Sequence, residues 1–368
     1  MNIKMYENIK KFIDCYVPIC RCNFKCNYCY ISTWESKKKD ENSKKIPFNA
    51  KIIRKAMSKE RWGGPLMLNF CAAGETLLSE DLIPIIQELL DEGHYCMIVT
   101  NGTITPKFNR LIKFSVEQRK RLFIKFSYHY LELKRLKLLD VFFSNVKKMH
   151  DSGISYTVEV TPSDEYIPYI DEIKETCLKN TGALPHITVC RIENGDVPLM
   201  SKLSKDDFIK TWSSFKSDLF DFKIKIFGEK RKEFCYAGAW SYSLSLLTGE
   251  LKQCYRGRVL QNIFENIDSK IEEIPIGCNC VDAHCWNGHA FLAFGDIPEL
   301  KTPTFEEERN RQTNKGPWIT EQMAKFMSTK LYNSNKQLNE KEKQKFNKKS
   351  KSFYNKQKIK KKVKRFLK

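Results

Sequence analysis

Cys20-Arg21-Cys22-Asn23-Phe24-Lys25-Cys26-Asn27-Tyr28-Cys29-Tyr30 places four cysteines within ten positions. Cys22, Cys26 and Cys29 are separated by three residues and then by two. A loop with that spacing folds three thiolates around one inorganic centre. An iron–sulfur cube is usually held by four cysteines, so three leave one iron open. An open metal position is the mark of a catalytic rather than a structural site. The same run also reads as a zinc knuckle, with Cys20 as fourth ligand.

Around this stretch lies a chain of 368 residues with 41% hydrophobic and 12% aromatic residues, long enough for a sizeable core. No run of eighteen apolar residues suggests a transmembrane helix. The lysine-rich start, Met1 to Asp14, lacks the apolar centre of a signal peptide. A cytoplasmic protein is expected, and there fourteen cysteines point to metal or catalysis rather than disulfides. Five of them fall in 15–29 and five in 235–285. Cys71, Cys96, Cys177 and Cys190 between these groups read as small buried hydrophobes.

Working outward, Asp14 to Ile19 reads as a strand feeding the cysteine loop. Trp34 to Lys45 is polar and lysine-rich and reads as a solvated loop, and Asn49 to Lys59 as a helix with an Asn cap. Further strands are expected over 65–71, 95–100, 122–128, 155–161 and 186–190. Helices are expected between them over 80–91, 141–151 and 166–179, and after the last over 206–219. Strands at such regular spacing, with helices between, predict a parallel βα array. In α/β barrels function collects at the C-terminal ends of the strands. Ala73-Gly74-Glu75, Thr100-Asn101-Gly102 and Ser127-Tyr128-His129 all stand at such ends.

The Cys-x3-Cys-x2-Cys run, with Tyr28 before its last cysteine, resembles the signature of the radical S-adenosylmethionine (SAM) enzymes. The resemblance covers roughly residues 14 to 222. It implies an α/β fold, a partial (β/α)6 TIM-like barrel. It also implies a 4Fe–4S cluster on Cys22, Cys26 and Cys29 whose open iron is chelated by the amino and carboxylate groups of SAM. An electron from the cluster then breaks a sulfonium C–S bond and releases a 5′-deoxyadenosyl radical. Ala73-Gly74-Glu75 is similar to the family's Gly-Gly-Glu motif, whose backbone carbonyls take the SAM amino group, with Ala73 at the first glycine. Tyr28, Asn101 and Ser127 complete the implied SAM contacts. His129 is a candidate acid/base group, or a hydrogen-bonded structural histidine. Arg135 and Arg191 are candidate partners for the SAM carboxylate.

A second group begins at Cys235. Ser243 to Leu247 and Glu250 to Gln253 alternate around Thr248-Gly249 and predict a β-hairpin leading to Cys254. Cys278, Cys280 and Cys285 follow. A Cys…Gly-x4-Cys hairpin with later cysteines resembles the SPASM and twitch extensions of radical SAM enzymes, which bind auxiliary iron–sulfur clusters. Five cysteines suffice for one cluster and a spare thiol, so one auxiliary 4Fe–4S cluster on Cys235, Cys254, Cys280 and Cys285 is expected, with Cys278 competing for a place. His289 is a remote alternative ligand. The same thiolates would equally satisfy a zinc ribbon.

The expected units are a radical SAM core over 1–225, an auxiliary-cluster unit over 226–300, a helical extension over 301–332 and a basic tail over 333–368. The net charge is +20, of which the tail carries +13 from 15 Lys and Arg against 2 Glu. Its Lys, Asn and Gln with isolated Phe and Leu predict a disordered or loosely helical, solubilising tail that adds little core. No motif calls for a specific nucleic-acid partner. The resemblance implies hydrogen abstraction from a peptide or protein side chain or from a sugar-like small molecule. A reductant such as flavodoxin or ferredoxin would supply electrons. Only nineteen residues precede Cys20, which speaks against an N-terminal peptide-recognition domain. A non-catalytic zinc or iron–sulfur scaffold, or an electron-transfer protein, is the reading from another class, and it leaves the motifs at the strand ends without a purpose.

Overall fold

A computed structural model describes residues 7–29, 45–192 and 197–366, with side chains up to 356. Tyr30 and the loop expected over 34–45, apart from Lys45, lie outside the described residues. In chain order come β1 (Lys11–Val17), α1 (Ala50–Ala56), α2 (Lys59–Trp62), β2 (Leu66–Ala72), α3 (Leu82–Asp91) and β3 (Tyr95–Thr100). Then follow α4 (Thr105–Leu111), α5 (Val116–Arg119), β4 (Leu122–Ser127), α6 (Tyr130–Arg135), α7 (Leu139–Asp151), β5 (Ser155–Val160), α8 (Ile170–Thr181) and β6 (His186–Ile187). The C-terminal part adds α9 (Lys205–Trp212), α10 (Asp218–Ile226), β7 (Ser241–Ser245), β8 (Glu250–Lys252), β9 (Val259–Asn262), α11 (Gly288–Phe291), α12 (Glu321–Met327) and α13 (Glu340–Phe366).

The expected βα array is present. One sheet runs β6-β5-β4-β3-β2-β1-β7-β8-β9, and β1 to β6 are parallel neighbours in sequence order. Asn49 caps α1 as its type predicts, its Oδ1 accepting from the Ile52 N–H at 2.9 Å. β6 stops at Ile187 rather than Cys190, because the chain turns away into a bridge between Arg191 and Leu199. The hairpin is β7–β8, and its place was not foreseen. β7 pairs parallel with β1, so the hairpin prolongs the barrel sheet.

Successive strand residues face opposite sides. Ile13, Leu68, Ile98, Ile124 and Val158 join the core under the helices. Phe12, Met67, Met97 and Phe123 face the concave side and share a second core with Phe291, Phe294, Phe305 and Phe326. Phe12 meets Phe291 and Phe294 at ring-centroid distances of 5.2 and 5.0 Å, and Tyr95 stacks on Phe326 at 3.5 Å. Residues of the expected 226–300 and 301–332 units therefore fill the concave face. Two residues further along the strands that face turns polar. Asn69 Nδ2 donates to Asp14 Oδ1 at 2.7 Å, and Glu159 lies 3.5 Å from Lys125 and 3.0 Å from Arg309. The strand starts are thus sealed by apolar contact, and the strand ends present hydrogen-bonding groups.

The tail corrects an expectation. Residues 333–368 are expected to be disordered or loosely helical and to add little core, yet Glu340–Phe366 forms one helix and its first half is docked. Ser350 and Tyr354 are buried. Ser350 Oγ donates to the Pro275 carbonyl at 2.9 Å, and Tyr354 Oη to Gln253 Oε1 at 2.7 Å. Composition misled because a few well-spaced groups suffice to anchor an otherwise solvated helix.

His94 links two elements of the barrel. Its Nδ1 accepts from the Leu66 N–H at 3.2 Å, and its Nε2 lies 2.6 Å from the Met57 carbonyl, so the neutral ring donates there. Burial pushes its pKa down to about 4. The folded value lies below the unfolded one, so protons bind the unfolded chain first and stability falls as pH drops below the usual imidazole range. At about 1.36 kcal/mol per pH unit, this group costs about 2 kcal/mol of stability between pH 6.5 and 5. Urea midpoints at the two pH values should show that difference shrinking in His94→Gln. An unchanged difference would contradict the assignment.

Candidate functional site

The cysteine loop leaves β1 at Val17 and crosses the C-terminal ends of the neighbouring strands. Phe24, buried, anchors it beside His129, with ring centroids 5.9 Å apart. The Cys29 N–H donates to the Cys26 carbonyl at 3.1 Å, and the Phe24 N–H to Cys22 Sγ at 3.4 Å. Burial pushes the Cys26 thiol up to about 12, and the nearby Cys29 and Cys22 add to this. Cys20 Sγ lies 3.9 Å from Tyr16 Oη.

Each strand-end segment from β2 to β6 touches this loop. After β2, the Gly74 and Glu75 N–H groups donate to the Ile19 and Arg21 carbonyls at 2.7 and 2.9 Å. After β3, Asn101 Nδ2 donates to Asn23 Oδ1 at 2.7 Å, and Asn23 Nδ2 to Thr103 Oγ1 at 2.9 Å. After β4, His129 Nδ1 lies 2.6 Å from Tyr28 Oη, and Glu132 accepts from the Lys25 N–H at 2.8 Å. After β5, Tyr166 Oη lies 2.6 Å from Tyr28 Oη, and Glu165 accepts from Asn27 Nδ2 at 3.2 Å. After β6, the Cys190 thiol lies 3.8 Å from the Tyr28 carbonyl.

Gly74 is a steric requirement. A Cβ there would stand 1.8 Å from the Arg21 carbonyl oxygen, so only glycine lets the two loops approach. Ala73 is half-buried and faces no such limit. Glu75 is buried and holds the neighbouring loop. It accepts from Thr100 Oγ1 at 2.6 Å, the Asn101 N–H at 2.7 Å and the Leu77 N–H at 2.9 Å. Burial raises its pKa against these three bonds. Glu75→Ala would strand all three donors, a loss of about 3 kcal/mol. Lower urea midpoints and a loosened cysteine loop are the expected readouts; unchanged stability would contradict this role.

Of the remaining expected residues, Ser127 lies half-buried at the end of β4. His129 is half-buried, and burial lowers its pKa to about 4, which favours the neutral ring bonded to Tyr28. Arg135 grips Glu132 with two bonds of 2.8 Å, so that ion pair braces the loop from behind Lys25. Arg191 donates to the Trp286 carbonyl at 3.1 Å. Asn23, Glu132, Glu165 and Tyr166 were missed in the sequence. Their only signal is position, in the cysteine loop itself or just after β4 and β5.

The second cysteine group assembles beneath the hairpin. Cys235 pairs with Gly277 through two backbone bonds of 3.2 and 3.0 Å, and Cys254 follows β8. Burial raises the Cys235, Cys254 and Cys285 thiols. Cys280 and Cys285 add to the rise at Cys235, and Cys280 to those at Cys254 and Cys285. These four expected ligands are therefore electrostatic neighbours. Cys278 is exposed and turned to Asn347 of α13, whose Nδ2 lies 3.6 Å from its sulfur. Burial raises the pKa of Tyr354 of α13, and Cys254, Cys280 and Cys235 lie near enough to add to the rise.

Among the described residues, no three His, Cys, Asp or Glu side chains converge on one point as a single ion would require. A cubane holds thiolates at separate corners, so the loop spacing is the relevant fit. Cys22, Cys26 and Cys29 share one braced loop, and soft thiolates suit iron–sulfur clusters. No helix among the described residues is long and apolar enough to cross a membrane.

No protein-family model and no curated protein matches the chain. Solved structures similar to it include Streptococcus suis SuiB bound to S-adenosylmethionine, at 14% identity and a TM-score of 0.46, covering 70% of this chain and 64% of SuiB. SuiB bound to the precursor peptide SuiA is similar at 14% and 0.43, covering 73% of this chain and 66% of that one. Native anSMEcpe with AdoMet and the Cp18Cys peptide is similar at 14% and 0.47, covering 70% and 78%. The chain thus spans a little under two thirds of the length of SuiB.

Proposed function

We propose that the chain is a radical SAM enzyme. Its loop of Cys22, Cys26 and Cys29 would hold a 4Fe–4S cluster, and Cys235, Cys254, Cys280 and Cys285 an auxiliary one. The observation that carries this is the bracing of one three-cysteine loop by the segments after five successive parallel strands. A zinc knuckle or passive scaffold has no need of that convergence at the strand ends. When bound there, the cluster would supply the electron for reductive cleavage of SAM to methionine and a 5′-deoxyadenosyl radical.

The chain's own residues do the positioning. Gly74 brings the post-β2 loop against the cysteine loop, and the Ala73 and Gly74 carbonyls are the candidates for the SAM amino group. Glu75 fixes the Thr100–Asn101 turn beside them. Tyr28, shared between His129 and Tyr166, sets the depth of the loop. Ser127 is the candidate for the SAM carboxylate or ribose. The substrate is a peptide side chain or a small molecule, and a flavodoxin or ferredoxin is the natural reductant class.

The metal content tests this. Anaerobically reconstituted protein should hold about eight irons with matching sulfide, by the four-iron count of each cubane. Cys254→Ala should retain about four, with the EPR signal of the reduced first cluster still altered by SAM. Stoichiometric zinc without visible charge-transfer absorption would overturn the assignment.

A further inference from the structure

Helix α13 carries two apolar stripes on opposite sides. In its first half, contacts fix the docked face. Asn347, Ser350 and Tyr354 make hydrogen bonds to the segments around the second cysteine group, and Phe346 and Phe353 pack against the same core. At about 100° per residue that face would continue through positions 357, 361 and 364. Those positions hold Gln357, Lys361 and Lys364, so the docking pattern ends with Tyr354. Ile359, Val363 and Phe366 recur instead at spacings of four and three, on the side of the helix opposite the docked face.

Along the docked half the same outward stripe is basic. Lys341, Lys345, Lys348 and Lys356 fall on it, and all four are exposed. The nearby carboxylates are taken by other lysines. Glu299 and Glu340 pair with Lys343, and Glu342 with Lys336. No acidic residue follows Glu342, and six of the ten residues from 357 to 366 are Lys or Arg. A cationic stripe that runs into an apolar one, on a helix held at its other end, fits a place where anionic and apolar chemistry meet. An anionic bilayer surface offers that pair, charged headgroups above an acyl boundary. A nucleic acid offers only the first. Its phosphates also favour the planar guanidinium, whereas Lys outnumbers Arg five to one over 357–366.

We propose that the outward stripe of α13 seats the protein on an anionic lipid surface, with the Lys341–Lys356 half at the headgroups and the Ile359–Phe366 half as the apolar anchor. The attachment is peripheral and reversible, since three apolar residues bury too little to hold a helix in the bilayer permanently. It does not depend on the proposed reaction. Because the docked and outward faces are opposite, the anchor needs no rearrangement of the second cysteine group.

Co-sedimentation of the full-length protein with lipid vesicles tests it. Vesicles of phosphatidylcholine mixed with phosphatidylserine should bind at least about tenfold more tightly than vesicles of phosphatidylcholine alone, and high salt should abolish the difference. Ile359→Asn combined with Val363→Asn leaves the charge unchanged and lies beyond the docked contacts. The melting temperature of that variant should hold while its binding to the anionic vesicles falls at least about tenfold. Equal binding to the two kinds of vesicle, or binding to neither, would overturn the proposal. Undiminished binding by the double variant would also overturn it, because a helix without an apolar anchor is only a diffuse polycation. Tighter binding to a duplex RNA than to the anionic vesicles would overturn it in favour of a nucleic-acid partner.

Discussion

Cys26→Ala should bring 5′-deoxyadenosine formation by the reduced protein below detection while leaving the melting temperature nearly unchanged. Cys26 is the central thiol of the loop, between Cys22 and Cys29, and two remaining thiolates do not hold a site-differentiated cube. The fold should survive because the loop is held mainly by other groups. Phe24 is buried, Gly74 and Glu75 bond the Ile19 and Arg21 carbonyls, and Tyr28 bonds His129 and Tyr166. Iron should fall by about half, by the four-iron count of one lost cluster. If the variant cleaves SAM as fast as the parent, the loop is not the reaction centre. If it unfolds, the loop's stability depends on the thiol rather than on the braces.

Truncation after Tyr332 should cost the second metal site and spare the first. Composition alone predicts a dispensable tail, but α13 packs against the second cysteine group. Tyr354 bonds Gln253, the neighbour of Cys254. Asn347 Oδ1 accepts from the Cys278 N–H at 2.8 Å, and Asn279 Nδ2 donates to the Asn347 carbonyl at 3.1 Å. The Leu338 N–H donates to Tyr236 Oη at 2.9 Å, next to Cys235. Burying Tyr354 alone is worth about 2 kcal/mol, and its loss opens the four thiols to water. Truncated protein should therefore retain about four irons and still form 5′-deoxyadenosine without substrate. Full iron content after truncation would show that the helix only rests on the surface. Tyr354→Ala, which keeps the charge of the tail, should reproduce the iron loss if the contact rather than the charge matters.

The barrel was legible because its signals are local. Apolar runs such as 65–71 and 95–100 sit between glycine-marked turns, and their periodicity fixes strands whatever the tertiary context. The place of the cysteine loop, directly after the first strand, was legible for the same reason. The braces were not. Glu132 and Tyr166 are ordinary residues until parallel pairing of β4 and β5 carries them to Lys25 and Tyr28, and that is a long-range fact. The pairing of β7 with β1 was hidden likewise, because a hairpin pattern says nothing about which sheet it joins. The docked tail failed for a third reason. Its net charge dominates any composition average, while a few spaced residues, among them Leu338, Asn347, Ser350 and Tyr354, do the anchoring.

The central claim is that the loop after β1 forms a catalytic centre for SAM, and one anaerobic assay tests it most directly. Reconstituted full-length protein is mixed with a low-potential reductant and SAM, and 5′-deoxyadenosine is quantified over time against a sample without reductant. The account predicts slow, reductant-dependent formation of 5′-deoxyadenosine and methionine in equal amounts. Intact SAM in a protein that retains its iron and its fold would contradict it.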